Sequence, residues 1–309
     1  MRILREDNEG GQGASITIGT FDGLHLGHQA ILQRAKKEGE RSGLPVGVIT
    51  FDPLPYFFFR KDFPFLLTPL SEKLFLLAEM GIDFVKIIDF NEKLANLSAT
   101  EFLNKIKEEM APRILTVGFD FHFGKERKGD IKFLQRVKDI YGFNLVVVEL
   151  VKKSGVLVKS TTIREKLLLG NLSLANLLLG RRYSLFGQVV KGSGRGKEIG
   201  FPTLNLQLLD KDKLLPIDGV YAVYCYPNFP SPNFYQGVMN IGTRPTFAGK
   251  ERQIEVHLIG IRELDLPPEK VKVEIFQRIR PEKRFSSPEE LRKEIKEDIK
   301  RAERILREN

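Results

Sequence analysis

The ten residues Gly19-Thr20-Phe21-Asp22-Gly23-Leu24-His25-Leu26-Gly27-His28 restrict what this chain can fold into more than any other segment. They follow an apolar, β-prone run, Ile16-Thr17-Ile18, and lead into a helical pattern from Gln29 to Arg41. The segment therefore reads as strand, glycine-bearing turn, helix. In such a unit the backbone N–H groups of the helix start point beyond the strand end and favour an anion there. His25 and His28 are three residues apart, so on the first helical turn they share a face. Two of the chain's four histidines thus fall at one anion-binding turn. The plainer alternatives are a zinc pair, which a chain with one cysteine leaves short of ligands, or ordinary packed histidines.

Around this turn the first 180 or so residues alternate strand and helix patterns. Strand candidates are Ser15–Gly19, Val46–Phe51, Phe84–Phe90, Ile114–Gly118 and Leu145–Leu150. Ser98-Ala99-Thr100-Glu101 reads as a capping box opening a helix over Glu101–Glu109. Alternation of this kind predicts a mostly parallel sheet covered by helices, whose ligands bind beyond the carboxyl ends of the strands. After Gly180 the pattern becomes strands only: Ser184–Lys191, Val220–Tyr226, Tyr235–Ile241, Ile254–Ile259 and Val271–Ile279. Their spacing predicts an antiparallel barrel or sandwich. One helix closes the chain, with Ser287 as N-cap, Pro288 at its first position and Leu291, Ile295, Ile299, Ala302 and Leu306 along one face. The expected boundary lies near Arg181-Arg182, giving domains 1–182 and 183–309.

A length of 309 residues and 42% hydrophobic content allow two cored domains. The single cysteine, Cys225, excludes an internal disulfide framework and fits a reducing cytoplasm. The first 15 residues lack the apolar core of a signal peptide, and no apolar run is long enough to span a membrane, so a cytoplasmic location is expected. A net charge of +9 calls for anionic partners. Lys and Arg are spread along the chain, which favours nucleotides and phosphate esters over nucleic acid.

Further segments carry chemistry. Val117–Gly124, with Asp120 and His122, follows a strand end and joins the rim near the first turn. Val158-Lys159-Ser160-Thr161-Thr162-Ile163-Arg164 offers hydroxyls and cations at a helix start, suited to phosphate or simply to capping. Phe51–Phe59, extending through Phe63 and Phe65, is an aromatic loop that could stack on a planar ring or pack as a lid. In the second part, Lys191–Gly200 holds four glycines and three cations in ten residues, among them Gly194, Arg195 and Gly200. Such a loop can wrap phosphates, although it is not a Walker A loop. Thr203 and Asn205 follow, two apart on an extended segment, and both offer oxygen ligands of the kind Mg²⁺ takes. Glu255 and His257 share one face of a strand, opposite Ile254, Val256 and Leu258. A carboxylate there can act as a base for an attacking alcohol or stand as a solvated strand residue.

Gly19–His28 looks like the triphosphate-binding motif of nucleotidyltransferases. Taken in order with Phe51–Pro55, Val117–Gly124, Ser160–Arg164, Gly200–Asn205, Gly219–Tyr221, Asn240–Thr246, Glu255 and Arg284-Phe285, it resembles the bifunctional prokaryotic-type FAD synthetases. These combine riboflavin kinase with FMN adenylyltransferase. The resemblance implies an α/β Rossmann-like nucleotidyltransferase domain followed by a riboflavin kinase antiparallel β-barrel with a C-terminal helix. It implies ATP as co-substrate, Mg²⁺ as metal, and riboflavin, FMN and FAD as substrate or product. His25 and His28 would polarise the ATP phosphates, with Gly19, Phe21, Asp22 and Gly23 shaping the turn and Asp120 nearby. Ser160, Thr161 and Arg164 would form a phosphate segment. Thr203 and Asn205 would hold Mg²⁺–ATP under the loop of Gly194, Arg195 and Gly200. Glu255 would be the base for a ribityl hydroxyl, Asn240 would lie in the same site, and Arg284 and Phe285 would help enclose flavin. Self-association is left open. The family has histidine where Leu54 stands and serine where Lys159 stands. Those departures define a rival in which only the kinase is retained and the first domain serves another nucleotidyl transfer, such as cytidylyl transfer. The basic charge defines a second rival, a nucleic-acid-binding module.

Overall fold

The computed structural model describes residues 1–5, 13–59, 65–192, 195–246, 249–261 and 269–308; the side chains of Arg195, Lys197, 244–246 and 249–251 lie outside the description. The chain forms two compact units, Met1–Ser160 and Thr161–Asn309.

The first unit is a six-stranded sheet of β1 (Arg2–Leu4), β2 (Ser15–Ile18), β3 (Val46–Phe51), β4 (Phe84–Ile88), β5 (Ile114–Gly118) and β6 (Asn144–Val148), in the order β1-β4-β3-β2-β5-β6. Every pairing in it is parallel. β3 is buried along its whole length, as its continuous apolar run requires of a strand covered on both faces. Its Gly47 lies against the ring of Phe84 on β4, where a β-carbon would fall 2.1 Å from Phe84 Cζ. The helices are α1 (Leu26–Ser42), α2 (Pro55–Phe59), α3 (Leu70–Glu79), α4 (Glu92–Ala95), α5 (Ala99–Met110) and α6 (Ile131–Tyr141). The capping box expected at Ser98 and Glu101 is present on α5, with both reciprocal hydrogen bonds made. The chain leaves β2 for β3 on one side and later returns to β5 on the other. The strand order therefore reverses at β2, which is where ligands of open parallel sheets bind. The edge strand β1 and a small ribbon of β7 (Lys152–Lys153) and β8 (Val156–Leu157) carry too few residues for a periodic signal.

The second unit is a closed antiparallel barrel of β9 (Tyr183–Val190), β10 (Leu204–Leu208), β11 (Gly219–Pro227), β12 (Tyr235–Thr246), β13 (Gly249–Leu258) and β14 (Lys270–Arg280). Its order is β10-β13-β12-β11-β14-β9. The choice between barrel and sandwich is thus resolved by the β9–β10 pairing, which closes the sheet on itself. Before the barrel come α7 (Ser160–Leu168) and α8 (Leu172–Leu179); α9 (Arg195–Glu198) interrupts the glycine-rich loop, and α10 (Pro288–Arg307) ends the chain. Ser287 caps α10 by accepting from the Glu290 N–H at 3.2 Å. Ala302 and Leu306 of α10 pack on Val220, Ala222, Val238 and Phe276 of the barrel.

The sequence puts the domain division at Arg181-Arg182, after α8. The fold groups α8 with the barrel. Its Leu172, Ala175, Leu178 and Leu179 are buried, and Asn176 bridges to the strands. The Asn176 amide nitrogen donates to the Ile275 and Phe276 carbonyls at 2.9 and 3.3 Å, and its oxygen accepts from the Tyr183 N–H at 2.7 Å.

Candidate active site

At the carboxyl end of β2 the backbone turns sharply, with Phe21, Gly23 and Leu24 at φ 47°, 93° and 42°. Gly23 supplies one of these left-handed positions without steric cost; Phe21 and Leu24 are held in theirs by burial in the core. The Asp22 carboxylate, 1% exposed, accepts from the Leu67 and Thr68 N–H groups at 3.3 and 2.9 Å. Gly23 N–H donates to Thr68 Oγ1 at 3.1 Å. Asp22 is therefore a brace: its oxygens fix the turn against the 67–68 segment. Ser160 contributes to the same brace, its hydroxyl donating to the Asp22 carbonyl at 2.7 Å. Gly19 lies against the Phe21 ring, 3.2 Å from where its β-carbon would be.

His25 is not on the first helical turn but at its N-cap, with φ −72° and ψ 172°. Its Nδ1 accepts from the His28 N–H at 3.3 Å, which puts the proton of a neutral ring on Nε2. The two imidazoles stack at 3.6 Å between centroids, 15° from parallel, and Phe21 stands edge-on to His28 at 5.3 Å. A pair of imidazoles at a helix start, backed by an aromatic core residue, presents N–H donors and the positive end of the helix dipole to one anion.

The rest of this rim is more open. Asp120 and Lys159 are exposed and 3.9 Å apart, and His122 Nδ1 lies 2.9 Å from the Asp120 carbonyl. Phe58, Phe59 and Phe90 form an aromatic cluster with centroids 5.2–5.8 Å apart, Phe58 and Phe59 being exposed. Phe63 lies outside the described residues. Leu54, between the two prolines, is only 3% exposed and belongs to the core of the sheet.

One residue that braces the first turn from below carries no motif that sequence reasoning uses. Lys73 on α3 is 1% exposed, and its ammonium donates to the Thr20 carbonyl at 2.8 Å and to Thr50 Oγ1 at 3.2 Å. Burial lowers its pKa to about 8, against the opposing pull of Asp22 and then Asp52. On the sequence it is one lysine in an amphipathic helix.

In the barrel, antiparallel register gathers the candidates in one row. Asn205 of β10 pairs with Glu255 of β13, and Glu255 pairs on its other side with Asn240 of β12. Directly paired residues project to the same face, so Glu255 stands between two amide side chains. Ile254, Val256 and Leu258 take the opposite, buried face, as the alternation predicts. The glycine-rich loop closes on this row. A β-carbon at Gly192 would fall 2.0 Å from Asn205 Nδ2, and one at Gly196 would fall 3.1 Å from Thr203 Oγ1. Gly200, at φ 85°, provides the left-handed turn leading to Thr203. Gly194 lies outside the described residues, and Arg195 is described only as the first residue of α9.

Sequence reading also missed Glu282, whose carboxylate approaches Gly242 beside the Asn240 amide. Arg284 is exposed, while Phe285 is half-buried between Arg280 and Lys283, whose charges lie 5.6 and 5.3 Å from its ring centroid. Arg280 in turn grips Asp298 of α10 with Nη2 to Oδ2 at 2.8 Å. Thr161 is exposed and Arg164 is 4% exposed on α7, in the second unit. Burial pushes the Cys225 thiol up to about 12, so it is no nucleophile.

Known proteins match both units. A family model described as FAD synthetase covers residues 7–162, and one described as riboflavin kinase covers residues 179–306. A bifunctional riboflavin kinase/FMN adenylyltransferase of Escherichia coli (strain K12) is 41% identical over 289 residues, 93% of this chain and 91% of that protein. A protein of the same description from Haemophilus influenzae is 34% identical over 304 residues, covering 98% and 97%. Among solved structures, one described as a macrolide-efflux protein from Streptococcus pneumoniae superposes with a TM-score of 0.87 at 31% identity, over 97% of this chain and 98% of that one. Among the described residues no helix here is long and apolar enough to cross a membrane.

Proposed function

Because this chain belongs to the bifunctional riboflavin kinase/FMN adenylyltransferase family, we propose that it makes FAD in two steps, one in each unit. In the barrel, riboflavin and ATP give FMN and ADP. In the parallel-sheet unit, FMN and ATP give FAD and pyrophosphate.

In the kinase step Glu255 takes the proton of the ribityl hydroxyl as its oxygen bonds to the γ-phosphorus and ADP departs. Asn205 and Asn240, on either side, orient the carboxylate and the groups bound against it. Thr203 and Asn205 would hold Mg²⁺, which when bound neutralises charge on the transferring phosphoryl group. Their donor set fits: a hydroxyl and an amide oxygen suit a cation that takes its remaining ligands from phosphates and water. Among the described residues no group of three or more His, Cys, Asp or Glu could cage a metal by itself. The glycine loop, pressed against both residues, covers the phosphates.

In the adenylyl step a phosphate oxygen of FMN bonds to the α-phosphorus of ATP and the bond to pyrophosphate breaks. That nucleophile is already ionised, so no base is required. His25 and His28 donate to phosphoryl oxygens from the start of α1, where charge develops. Asp22 and Ser160 act one step back, holding the turn, while Asp120 and Lys159 stand at the rim.

The observation that carries this reading is the Asn205–Glu255–Asn240 row beneath Gly192. The rival with a repurposed first domain drew on Leu54 and Lys159: the Leu54 side chain is packed in the core, where the change fills space, whereas Lys159 is exposed at the rim beside Asp120. Chromatography of products from riboflavin, Mg²⁺ and ATP tests the proposal. FMN and FAD are both expected, and FMN alone would return the rival.

A further inference from the structure

His257 has no part in the two steps above, yet its ring reaches the segment that carries Thr203. It follows Glu255 by two residues on β13 and shares its face. Its Nδ1 lies 2.9 Å from the Pro202 carbonyl oxygen. A carbonyl only accepts, so Nδ1 carries the proton. The Phe201 ring stands edge-on to the imidazole, 5.5 Å between centroids at 79°.

The position of this bond matters because of where the sheet ladder begins. The first β10–β13 pair is Leu204 with Val256, so Thr203 lies just outside the ladder. Pro202 has no N–H, which leaves its carbonyl as the one backbone group able to anchor it. Two contacts fix the chain immediately before Thr203: the bond from His257 to Pro202, and the Phe201 N–H donating to the Gly196 carbonyl at 2.8 Å. The first ties the segment to the strand bearing Glu255. The second ties it to the glycine loop.

We propose that His257 is a positioning residue for phosphoryl transfer: it donates from Nδ1 to Pro202 and so holds the Thr203 hydroxyl in line with Asn205 and Glu255. This rests on the reading that Thr203 helps hold the metal–nucleotide. The imidazole itself moves no proton in the reaction, and its bond survives protonation because an imidazolium still donates from Nδ1.

The test uses the full-length protein. An asparagine side chain places an N–H₂ donor at the δ position, glutamine places it one atom farther, and leucine supplies none. His257→Leu is expected to lower kcat/KM for riboflavin phosphorylation by about tenfold or more, a loss of about 1.4 kcal/mol of transition-state stabilisation. The Mg²⁺ concentration for half-maximal kinase rate should rise with it. Asparagine should restore kinase rate to within about threefold of wild type, glutamine should not, and adenylylation of supplied FMN should stay unchanged in all three. In a Thr203→Ala background the leucine substitution should add little, since its effect passes through Thr203. A readout independent of turnover is the ¹⁵N NMR of the imidazole, assigned by its loss in the asparagine variant; the Nδ1–H tautomer is expected without nucleotide. An Nε2–H tautomer, full additivity with Thr203→Ala, or equal impairment by asparagine and leucine would overturn the proposal. If leucine prevents folding, the asparagine–glutamine contrast and the tautomer decide it. If Thr203→Ala alone leaves kinase activity and its Mg²⁺ response intact, the reading of Thr203 fails instead, whatever His257 does.

Discussion

The Lys73 ammonium lies 2.8 Å from the Thr20 carbonyl oxygen, within the segment that ends in His25 and His28. A charge in that position is desolvated by burial, and its pKa falls to about 8. An unfolded lysine keeps its proton to about 10.4. Between these values the unfolded chain binds more protons, so stability rises with pH across the window and is lost as pH falls back through about 8. Urea unfolding of wild type and Lys73→Met between pH 7 and 10.5 checks this. Wild type should gain on the variant by something on the order of 3 kcal/mol over that span. Parallel curves would mean that the ammonium is solvated.

The two sites should fail separately. Glu255→Gln keeps size and hydrogen bonding but removes the proposed base, and riboflavin phosphorylation should fall about 10²–10⁴-fold while FMN adenylylation survives. His28→Ala should do the reverse, with FAD formation falling about 10²–10³-fold while FMN accumulates. Both half-reactions are assayed on variants shown to be folded by thermal melts. A folded variant that lost both activities would break the two-site assignment.

Gly192→Ala isolates the contact between the glycine loop and the row of Asn205, Glu255 and Asn240. The new β-carbon would sit 2.0 Å from Asn205 Nδ2, so the asparagine side chain must swing aside. Stability should change by no more than about 1 kcal/mol, because the displaced group is the end of a flexible side chain. Kinase kcat/KM should nonetheless drop about tenfold, with adenylylation untouched. Normal kinase activity would show that Asn205 can leave its position freely.

The domain boundary can be tested by truncation. A fragment 161–309 retains α8 and the three Asn176 hydrogen bonds to the barrel strands. It is expected to be soluble, to melt cooperatively and to phosphorylate riboflavin. A fragment 182–309 exposes the surface that Leu172, Ala175, Leu178 and Leu179 cover, and it should aggregate or lose its cooperative transition. Equal behaviour of the two would restore a boundary at Arg181-Arg182.

Much of this molecule was legible in one dimension because the signals are local. Alternating and continuous apolar runs marked ten of the fourteen strands among the described residues, β2–β6 in the first unit and β9 and β11–β14 in the second, because burial on one face or two leaves a period in the sequence. The capping residues Ser98 and Ser287 act on N–H groups three positions away, so their signatures are contiguous. Gly19–His28 could be read as a candidate anion site because turn, dipole and imidazoles all belong to one short segment. What no local pattern contains is which strands meet. Glu255 gains Asn205 and Asn240 as neighbours through β-ladder register, and β10, five residues in the shadow of a glycine loop, became visible only as the strand that closes the barrel. The burial of Lys73 beneath Thr20 and the reach of His257 to Pro202 likewise depend on packing between residues 53 and 55 positions apart. Sequence periodicity determines which face of an element is buried; only the closed, packed chain decides what that face meets, because pairing partners are selected by the free energy of the whole core rather than by either segment alone.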